Sequence, residues 1–202
     1  MMRPRRIRLA AMLFSVLPVM LAGCGRTAPS RFYVLEPRIQ SGDVLPGQPG
    51  DEVTIGIGPV RLPEYLDRPQ IVTRAGGNRL DLAEFDRWAE PLTTDFTRVL
   101  ADNITKLLST QDIVFHPWPA SVTVDFEVRV EVLMFETNSQ GAAALDARWT
   151  LTDSDDRKTI RRSRFEQPVE GEGYQAIVSS QSELLARLSR EIAEEIAEAV
   201  AD

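Results

Sequence analysis

The sequence contains one cysteine and one histidine among its 202 residues. A disulfide needs two cysteines, and a zinc centre needs three or four suitable ligands placed together. The histidine, His116, could serve a serine nucleophile, but the chain has no Gly-x-Ser-x-Gly sequence. These absences exclude an internal disulfide and a cysteine–histidine zinc centre. They also favour an ordinary loop histidine over a catalytic one.

Two further motifs resemble cofactor or metal sites without completing them. Residues 56–60, Gly-Ile-Gly-Pro-Val, resemble half of a dinucleotide loop, but no helix opens after them and Pro63 soon follows. The acids of residues 153–156 lack the glycine and the closing glutamate of an EF-hand loop, which favours a solvated turn. The sequence therefore predicts no catalytic residue, no cofactor and no metal site, and a protein that is not an enzyme.

Positive charge is also in short supply. The chain has 23 basic and 30 acidic residues, a formal net charge of −7. Residues 1–23 hold four arginines and no acid, so without them 19 basic residues face 30 acids and the net charge is −11. A domain this acidic is repelled by nucleic acid, so nucleic-acid binding is not expected.

No apolar run in the sequence is long enough to cross a membrane. The run Leu9–Leu21 has 13 residues. As a helix it would reach about 20 Å, short of the ~30 Å hydrocarbon core, and Pro18 would bend it. Four arginines lie within the first eight residues, and small residues follow the run. A basic start, a short apolar segment and small residues are typical of a secretion signal, so residues 1–23 are predicted to be a cleaved signal peptide.

The single cysteine directly follows this signal. The residues Leu21-Ala22-Gly23-Cys24 resemble the bacterial lipobox, in which signal peptidase II cuts before the cysteine. That resemblance implies cleavage between Gly23 and Cys24, a diacylglycerol on the Cys24 sulfur and an acyl chain on its new amino group. Stable anchoring needs at least two acyl chains, which such a cysteine carries. The alternative is an unpaired secreted thiol or an intermolecular disulfide.

The residue after the cysteine indicates a destination. An aspartate there retains enterobacterial lipoproteins in the inner membrane, so Gly25 suggests transfer to the outer membrane. Other bacterial groups use different sorting rules. We therefore expect a lipid-anchored protein on the periplasmic face of the outer membrane. Residues 24–31 would form the lipidated N-terminus and a short tether, and residues 32–202 a single domain.

The rest of the chain alternates between strand and helix patterns. Short strands are predicted near residues 32–35, 53–60, 70–74, 78–82 and 112–116, with a tight turn at Gly76-Gly77-Asn78. Apolar residues at steps of three and four predict helices over about 89–108 and 174–201. Residues 121–135 alternate as a half-buried strand, and two further strands follow. The prediction is an α+β fold, a mixed and mostly antiparallel sheet with two long helices on one face.

The strand over residues 121–135 is unusually long. At about 3.3 Å per residue it would approach 50 Å, so its far end is predicted to project beyond the sheet. Near that end the solvent-facing row becomes apolar at Leu133 and Phe135. Two such residues could mark a contact surface, and self-association through the projecting hairpin, giving a homo-oligomer, is one expectation.

The segment Ile57–Arg74 combines rigid, apolar and charged side chains between two strands. Prolines set a fixed path, and a tyrosine and a leucine offer anchor-type side chains beside a charged rim. The residues concerned are Pro63, Glu64, Tyr65, Leu66, Asp67, Arg68 and Pro69. Either this segment is an interaction loop, or it is a connector whose Tyr65 and Leu66 cap the core.

Motifs that run through the mature chain carry a family resemblance. They are Phe32-Tyr33-x-Leu35-x-Pro37, Leu62-Pro63-x-Tyr65-Leu66-Asp67-Arg68-Pro69-Gln70-Ile71-Val72, Arg74, and Phe85-x-x-Trp88-Ala89-Glu90-Pro91-Leu92. In this order, behind a lipobox, they resemble the PqiC/YmbA family, the auxiliary lipoproteins of ABC-type and MCE-type transport systems. The resemblance implies a non-enzymatic protein that docks a periplasmic MCE-domain protein, itself served by an inner-membrane ABC permease. Such systems are thought to carry lipid between membranes.

The same resemblance suggests where the partner binds. We hypothesise a partner surface made of Pro63, Glu64, Tyr65, Leu66, Asp67, Arg68, Arg74, Trp88 and Glu90. Trp88 lies on the apolar stripe of the predicted first helix, so it is better explained as a core residue than as a contact.

Two other function classes stay open at this point. One is a lipoprotein regulator of a cell-wall synthase, but such regulators generally need a long disordered tether. Here some eight residues separate Cys24 from the first strand, at most ~30 Å when extended. The other is a lipid-binding carrier with its own cavity, although free release would conflict with a triacyl anchor.

Overall fold

The computed structural model of the protein describes residues 28–40, 42–46 and 53–201. The predicted signal peptide, the cleavage site at Gly23 and the lipidated Cys24 lie outside these described residues. The elements are β1 Arg31–Tyr33, β2 Ile55–Arg61, β3 Gln70–Gly76, β4 Arg79–Trp88, α1 Leu92–Leu108, β5 Ile113–Phe115, β6 Phe126–Thr137, β7 Ala142–Asp153, β8 Lys158–Pro168 and α2 Gly173–Ala201. Within the described ranges, neither helix is long and apolar enough to cross a bilayer.

The strands form one mixed, eight-stranded sheet around β6. On one side of β6, the long antiparallel ladders of β7 and then β8 follow, as the alternating sequence predicts. On the other side, β2 runs parallel to the first half of β6, and β3 joins its end through the pair Thr73 and Thr137. β5 extends the sheet beyond β2, whereas β4 and β1 extend it beyond β3. The α+β class, with a mixed sheet and two helices, is confirmed.

The core lies between the helices and the sheet. Both helices bury the stripe that their three- and four-residue spacing predicts, with Phe96 and Leu100 on α1 and Leu185 and Ile192 on α2 fully buried. Trp149 of β7 is among the largest side chains that meet this layer. Burying an apolar side chain of this size stabilises the fold by about 1.5–3 kcal/mol.

The prediction that the end of β6 projects and exposes Phe135 is wrong, whereas Leu133 is half-buried. The strand begins at Phe126 rather than at residue 121, and a β-bulge interrupts its ladder between Val132 and Met134. The bulge adds one residue and reverses the alternation, because successive strand residues point to opposite faces. Phe135 is therefore buried, with its ring edge-on to Phe96 at 5.3 Å between centroids. The end of β6 does not project, since Gln181 of α2 donates to the Phe135 carbonyl.

The start of the first helix also differs from the prediction. β4 continues to Trp88, and α1 begins only at Leu92 with Pro91 as its N-cap residue. A residue that precedes proline is disfavoured in helical conformation, which keeps Glu90 out of the helix. Trp88 is buried in the core, as the alternative interpretation held, but it belongs to a strand rather than to a helical stripe.

One strand glycine has a clear packing reason. The sequence predicts that the glycines of residues 53–60 leave room for a close neighbour on the face opposite Ile55 and Ile57. A Cβ built on Gly56 would lie 2.9 Å from side-chain atoms of both Trp118 and Val124. The prediction is confirmed, because an alanine here would clash with two buried or half-buried side chains.

Candidate functional site

The loop of residues 62–69, between β2 and β3, is folded into a fixed turn. The backbone N–H groups of Leu66 and Asp67 both donate to the Pro63 carbonyl, at 2.9 and 3.3 Å. The Leu66 side chain is 2% exposed and fixes the loop to the core. Its other end is fixed too, because the Trp88 N–H donates to the Pro69 carbonyl at 2.8 Å. The loop is therefore held at both ends by backbone hydrogen bonds and in its middle by an apolar anchor.

The charged side chains of this loop face solvent. Glu64, Asp67 and Arg68, the loop tip, are exposed. Within the described part of the chain, none of the three has a side-chain hydrogen bond or an ion pair. The fold holds this tip in one place without using its charges, which leaves them available to another molecule.

Beneath the tip lies the Glu136 cluster, made of Tyr65, Arg74 and Glu136. Glu136, on β6, is 0% exposed. The Tyr65 hydroxyl donates to its Oε2 at 2.7 Å, and the Arg74 Nε donates to its Oε1 at 2.6 Å. A carboxylate is tolerated at such depth only when it is paired and hydrogen-bonded, and these two partners meet that need.

Because Tyr65 and Arg74 are both bound to Glu136, their side chains are not free to contact a partner. Burial, followed by the hydrogen bond to Glu136, raises the pKa of Tyr65, so the phenol stays protonated and keeps donating. The hydrogen bond to Glu136 also raises the pKa of Arg74. Both side chains therefore act as positioning residues that tie the loop and β3 to the central strand.

Sequence reasoning missed Glu136. It is one of several acids along the predicted strand, and the expected alternation ended before it. The bulge after Val132 turns Phe135 toward the helices, and Glu136, which points to the opposite face, is covered there by Tyr65 and Arg74. The one available signal is that Tyr65 and Arg74 can both donate hydrogen bonds to a carboxylate. They lie 71 and 62 residues from Glu136 in sequence, so the sequence alone does not connect them.

The two remaining predicted site residues, Trp88 and Glu90, are not part of the loop tip. Trp88 is core and contributes its backbone to the loop's end. Glu90 lies just before α1, and its Oε1 is 3.6 Å from the Nε of Arg98. The structure therefore brings together Pro63–Arg68 and Arg74, whereas Trp88 meets the loop through its backbone and Glu90 pairs with Arg98 of α1.

A second arginine–tyrosine–carboxylate group, the Asp86 cluster, fixes the N-terminal strand. Arg31 donates to Asp86 through Nη2 at 2.8 Å, and Tyr33 donates through its hydroxyl at 2.7 Å. The hydrogen bond from Arg31 is the main reason that the pKa of Asp86 is lowered. Since Arg31 closes the predicted tether, this cluster determines where the tether joins the domain.

The chain after β1 is held between both helices. The Leu35 N–H donates at 2.6 Å to the buried carboxylate of Asp95, which also pairs with Arg98. Burial raises the pKa of Asp95 in spite of these partners. On the other side, the Glu36 N–H donates to the Ser182 hydroxyl of α2 at 3.1 Å. The segment next to the predicted anchor is thus integrated into the domain.

The structure offers little for cofactor or metal chemistry. Among the described residues, no group of three or more histidine, cysteine or acidic side chains is placed to hold a metal ion. His116 is exposed and packs edge-on against Trp118, at 5.5 Å between ring centroids. In the acidic segment 153–156, Asp153 accepts the N–H groups of Asp155 and Arg157, which is the geometry of a turn.

Comparisons with known proteins agree with this picture. A family model described as ABC-type transport auxiliary lipoprotein component matches residues 33–193. A crystal structure of an uncharacterized protein is 22% identical, with a TM-score of 0.68, and the match covers 84% of this chain and 99% of that chain. The protein XCC0632 from Xanthomonas campestris, of the DUF330 family, is 17% identical with a TM-score of 0.68, over 81% and 93% of the two chains. These two structures share the fold. No curated protein matches the chain.

Proposed function

Because the chain belongs to the family of ABC-type transport auxiliary lipoprotein components, we propose that it is a non-enzymatic accessory of an ABC/MCE-type intermembrane lipid transport system. In this proposal Cys24 carries the lipid anchor, and the domain docks the periplasmic MCE-domain protein at the outer membrane. The inner-membrane ABC permease supplies that protein from the other side of the envelope. The family match over most of the chain carries the proposal.

The proposed docking contact is the loop tip. Glu64, Asp67 and Arg68 are exposed and unpaired within the described chain, while Leu66 and the Glu136 cluster hold the backbone beneath them. Preorganised side chains bind with less loss of conformational entropy than flexible ones. A rigid loop that carries unused charges of both signs is therefore suited to recognise a protein of complementary charge.

The N-terminus supports a location close to the membrane. Arg31 and Tyr33 are fixed to Asp86, and seven peptide links separate Cys24 from Arg31. Fully extended, those links reach about 25 Å. An acylated Cys24 would thus keep the domain within a few nanometres of its bilayer. This short reach argues for a role at that membrane rather than one across the periplasm.

Site-specific photocrosslinking tests the docking surface. A photoreactive amino acid at position 67 should crosslink to the MCE-domain protein encoded with this lipoprotein. We expect the double change Glu64→Arg and Arg68→Glu to lower the yield by about tenfold, since two charge contacts of about 1 kcal/mol or less each reverse sign. The matched control is Arg79→Glu, an exposed arginine in the hairpin at the opposite end of β3. Full yield from a folded double variant would place the docking surface elsewhere.

Metabolic labelling tests the anchor separately. Cells supplied with labelled palmitate should yield a labelled protein, and Cys24→Ser should abolish the label and release the domain from membranes. Globomycin, which inhibits signal peptidase II, should block maturation. An unlabelled wild-type product, or maturation that globomycin leaves untouched, would contradict the anchor while leaving the docking test intact.

A further inference from the structure

Two clefts meet at an open edge of the sheet. β5 pairs with β2 only at Ile55–Ile57, so within the described chain no strand covers this side of residues 58–61. Pro59 and His116 stand at that edge and line both clefts. One cleft opens on the helix side of the edge and the other on the outer face of the sheet. A single elongated molecule could therefore occupy both by crossing the edge.

The helix-side cleft, called here the apolar cleft, has a volume of about 490 Å³. It lies between β2, the first turns of α1 and the end of β5. Phe115, in its wall, is 50% exposed although it is a large apolar residue. Its other lining residues include Ile57, Val60, Thr94, Thr97 and Arg98, whose charge is paired with Asp95. This volume and mostly apolar lining are those of a small-molecule site.

The outer-face cleft, called here the arginine cleft, has a volume of about 470 Å³. Arg61, Arg129 and Arg148 line it together with one acid, Glu131. Strand pairing places Arg61, Glu131 and Arg148 in one row across β2, β6 and β7. Three guanidinium groups so close together attract an anion, and guanidinium forks match phosphate oxygens.

The charges of this cleft are only partly satisfied by the protein. Arg148 pairs with Glu131 at 3.0 Å, and Arg129 pairs with Glu127 at 2.7 Å. Arg61 is exposed and has no carboxylate partner within the described chain. Arg61 therefore leaves an excess of positive charge in the arginine cleft, although the whole chain has a net charge of −7. An anionic ligand would neutralise that excess.

From these observations we propose that the two clefts form one binding site for an anionic phospholipid. An acyl chain lies in the apolar cleft, and the phosphate group binds Arg61, Arg129 and Arg148 on the other side of Pro59. The apolar tail gains from leaving water, and the headgroup gains charge-assisted hydrogen bonds. The docking loop begins at Leu62, directly after Arg61, so the lipid would lie at its base. The inference deepens the proposed function, on which its biological meaning rests.

Photolabelling of the purified mature lipoprotein in detergent tests this site. The probe is phosphatidylglycerol with a diazirine on one acyl chain, used without any transport partner. We expect label on peptides that contain Phe115 or residues 93–98. The double change Arg61→Glu and Arg148→Glu should lower labelling about tenfold. Arg162→Glu, in the same row on β8 but outside both clefts, is the matched control and should label like wild type.

A second variant tests the apolar half. Thr94 is exposed and lines the apolar cleft, so Thr94→Trp should fill the cleft without disturbing the core. We expect it to abolish labelling while thermal unfolding stays unchanged. Label that maps outside both clefts, or that persists in both the arginine and the Thr94→Trp variants, would overturn the proposal.

Headgroup and competitor experiments distinguish a lipid from a free anion. Phosphatidylcholine carrying the same diazirine should label several-fold less than phosphatidylglycerol, and equal labelling would overturn the role of the arginines. Excess inorganic phosphate should compete only weakly. Complete competition by phosphate, together with normal labelling of Thr94→Trp, would identify a simple anion site instead. Because no partner is present, these results do not depend on whether the loop tip docks an MCE-domain protein.

Discussion

The Glu136 and Asp86 clusters use the same three kinds of side chain, but their arginines differ in how far they reach into solvent. Each joins an arginine and a tyrosine to one carboxylate. In the Glu136 cluster the carboxylate is fully buried on the central strand, and the Arg74 side chain is 30% exposed. In the Asp86 cluster the carboxylate is also buried, at 4% exposed, but it lies on β4 near the sheet margin, and the Arg31 side chain is 66% exposed.

The difference in the exposure of the arginines implies a difference in role. A charge on the central strand that loses its partners costs several kcal/mol, whereas an ion pair whose arginine lies mostly in water contributes less. We therefore expect the Glu136 cluster to stabilise the whole fold and to hold the loop of residues 62–69. We expect the Asp86 cluster to stabilise the structure only locally, by holding β1, and with it the predicted tether, against β4. The predictions that follow test this contrast, from the largest expected effect to the smallest.

The largest effect is expected for Glu136→Ala. The change leaves the Tyr65 hydroxyl and the Arg74 guanidinium facing a buried space without their acceptor. Because part of Arg74 reaches water, we expect the free energy of unfolding to fall by about 3 kcal/mol, at the lower end for a broken buried pair. Urea unfolding measures this loss. Glu131→Ala, which removes an exposed acid of the same strand, should cost about 0.5 kcal/mol, and equal losses would refute the contrast.

The next effect separates the two tyrosines. Tyr65→Phe and Tyr33→Phe each remove one hydroxyl that donates to a carboxylate. For Tyr65 we expect a loss of about 1.5–2 kcal/mol, as for a hydrogen bond to a buried charge. For Tyr33, at the sheet margin, we expect about 0.5 kcal/mol. Urea unfolding measures the loss of free energy of unfolding in both variants. A larger loss for Tyr33→Phe would show that position in the sheet does not determine the size of the loss.

A smaller and local effect is expected for Asp86→Asn. The change weakens the bonds from Arg31 and Tyr33, so β1 should detach from β4 more often. We expect faster hydrogen exchange at the amides of residues 31–34 and little change in the core strands β6 and β7. Hydrogen exchange followed by mass spectrometry resolves the two regions. Uniformly faster exchange throughout the sheet would mean that Asp86 also supports the global fold.

The smallest effect is a pH dependence of opposite sign at two aspartates. The hydrogen bond from Arg31 lowers the pKa of Asp86, so its stabilisation is full above its unfolded pKa of about 4 and is lost as the pH falls through its lower folded pKa. Burial raises the pKa of Asp95, so the folded state binds a proton first and its stability rises as the pH falls through that raised pKa.

Unfolding titrations between pH 7 and about pH 3 would separate the two contributions. Asp86→Asn should flatten the loss of stability at acid pH. Asp95→Asn should remove the opposing gain and make the acid loss steeper. If the two variants show the same pH dependence, then either the lowered pKa of Asp86 or the raised pKa of Asp95 is wrong.

Much of the architecture could be predicted from sequence because its signals are local. The alternation from Phe126 to Val132 predicts a half-buried strand, and the spacing in α1 and α2 predicts their buried stripes. The glycines at 76 and 77 mark the β3–β4 turn. Less of the candidate site was predictable. The sequence predicts an interaction loop or a connector in Ile57–Arg74, but which residues are anchors and which are exposed depends on residues far along the chain.

By itself, the sequence determined the α+β class and the faces of the two helices, since periodicity is a property of neighbouring residues. Tertiary structure alone decided that Phe135 and Glu136 are buried, that Trp88 ends a strand, and that two clefts meet at Pro59. The physical reason is that these features depend on contacts between residues far apart in sequence. The one-residue bulge in β6 exists only in its pairing with β7, and the Glu136 carboxylate is tolerated only where Tyr65, 71 residues away, can donate to it.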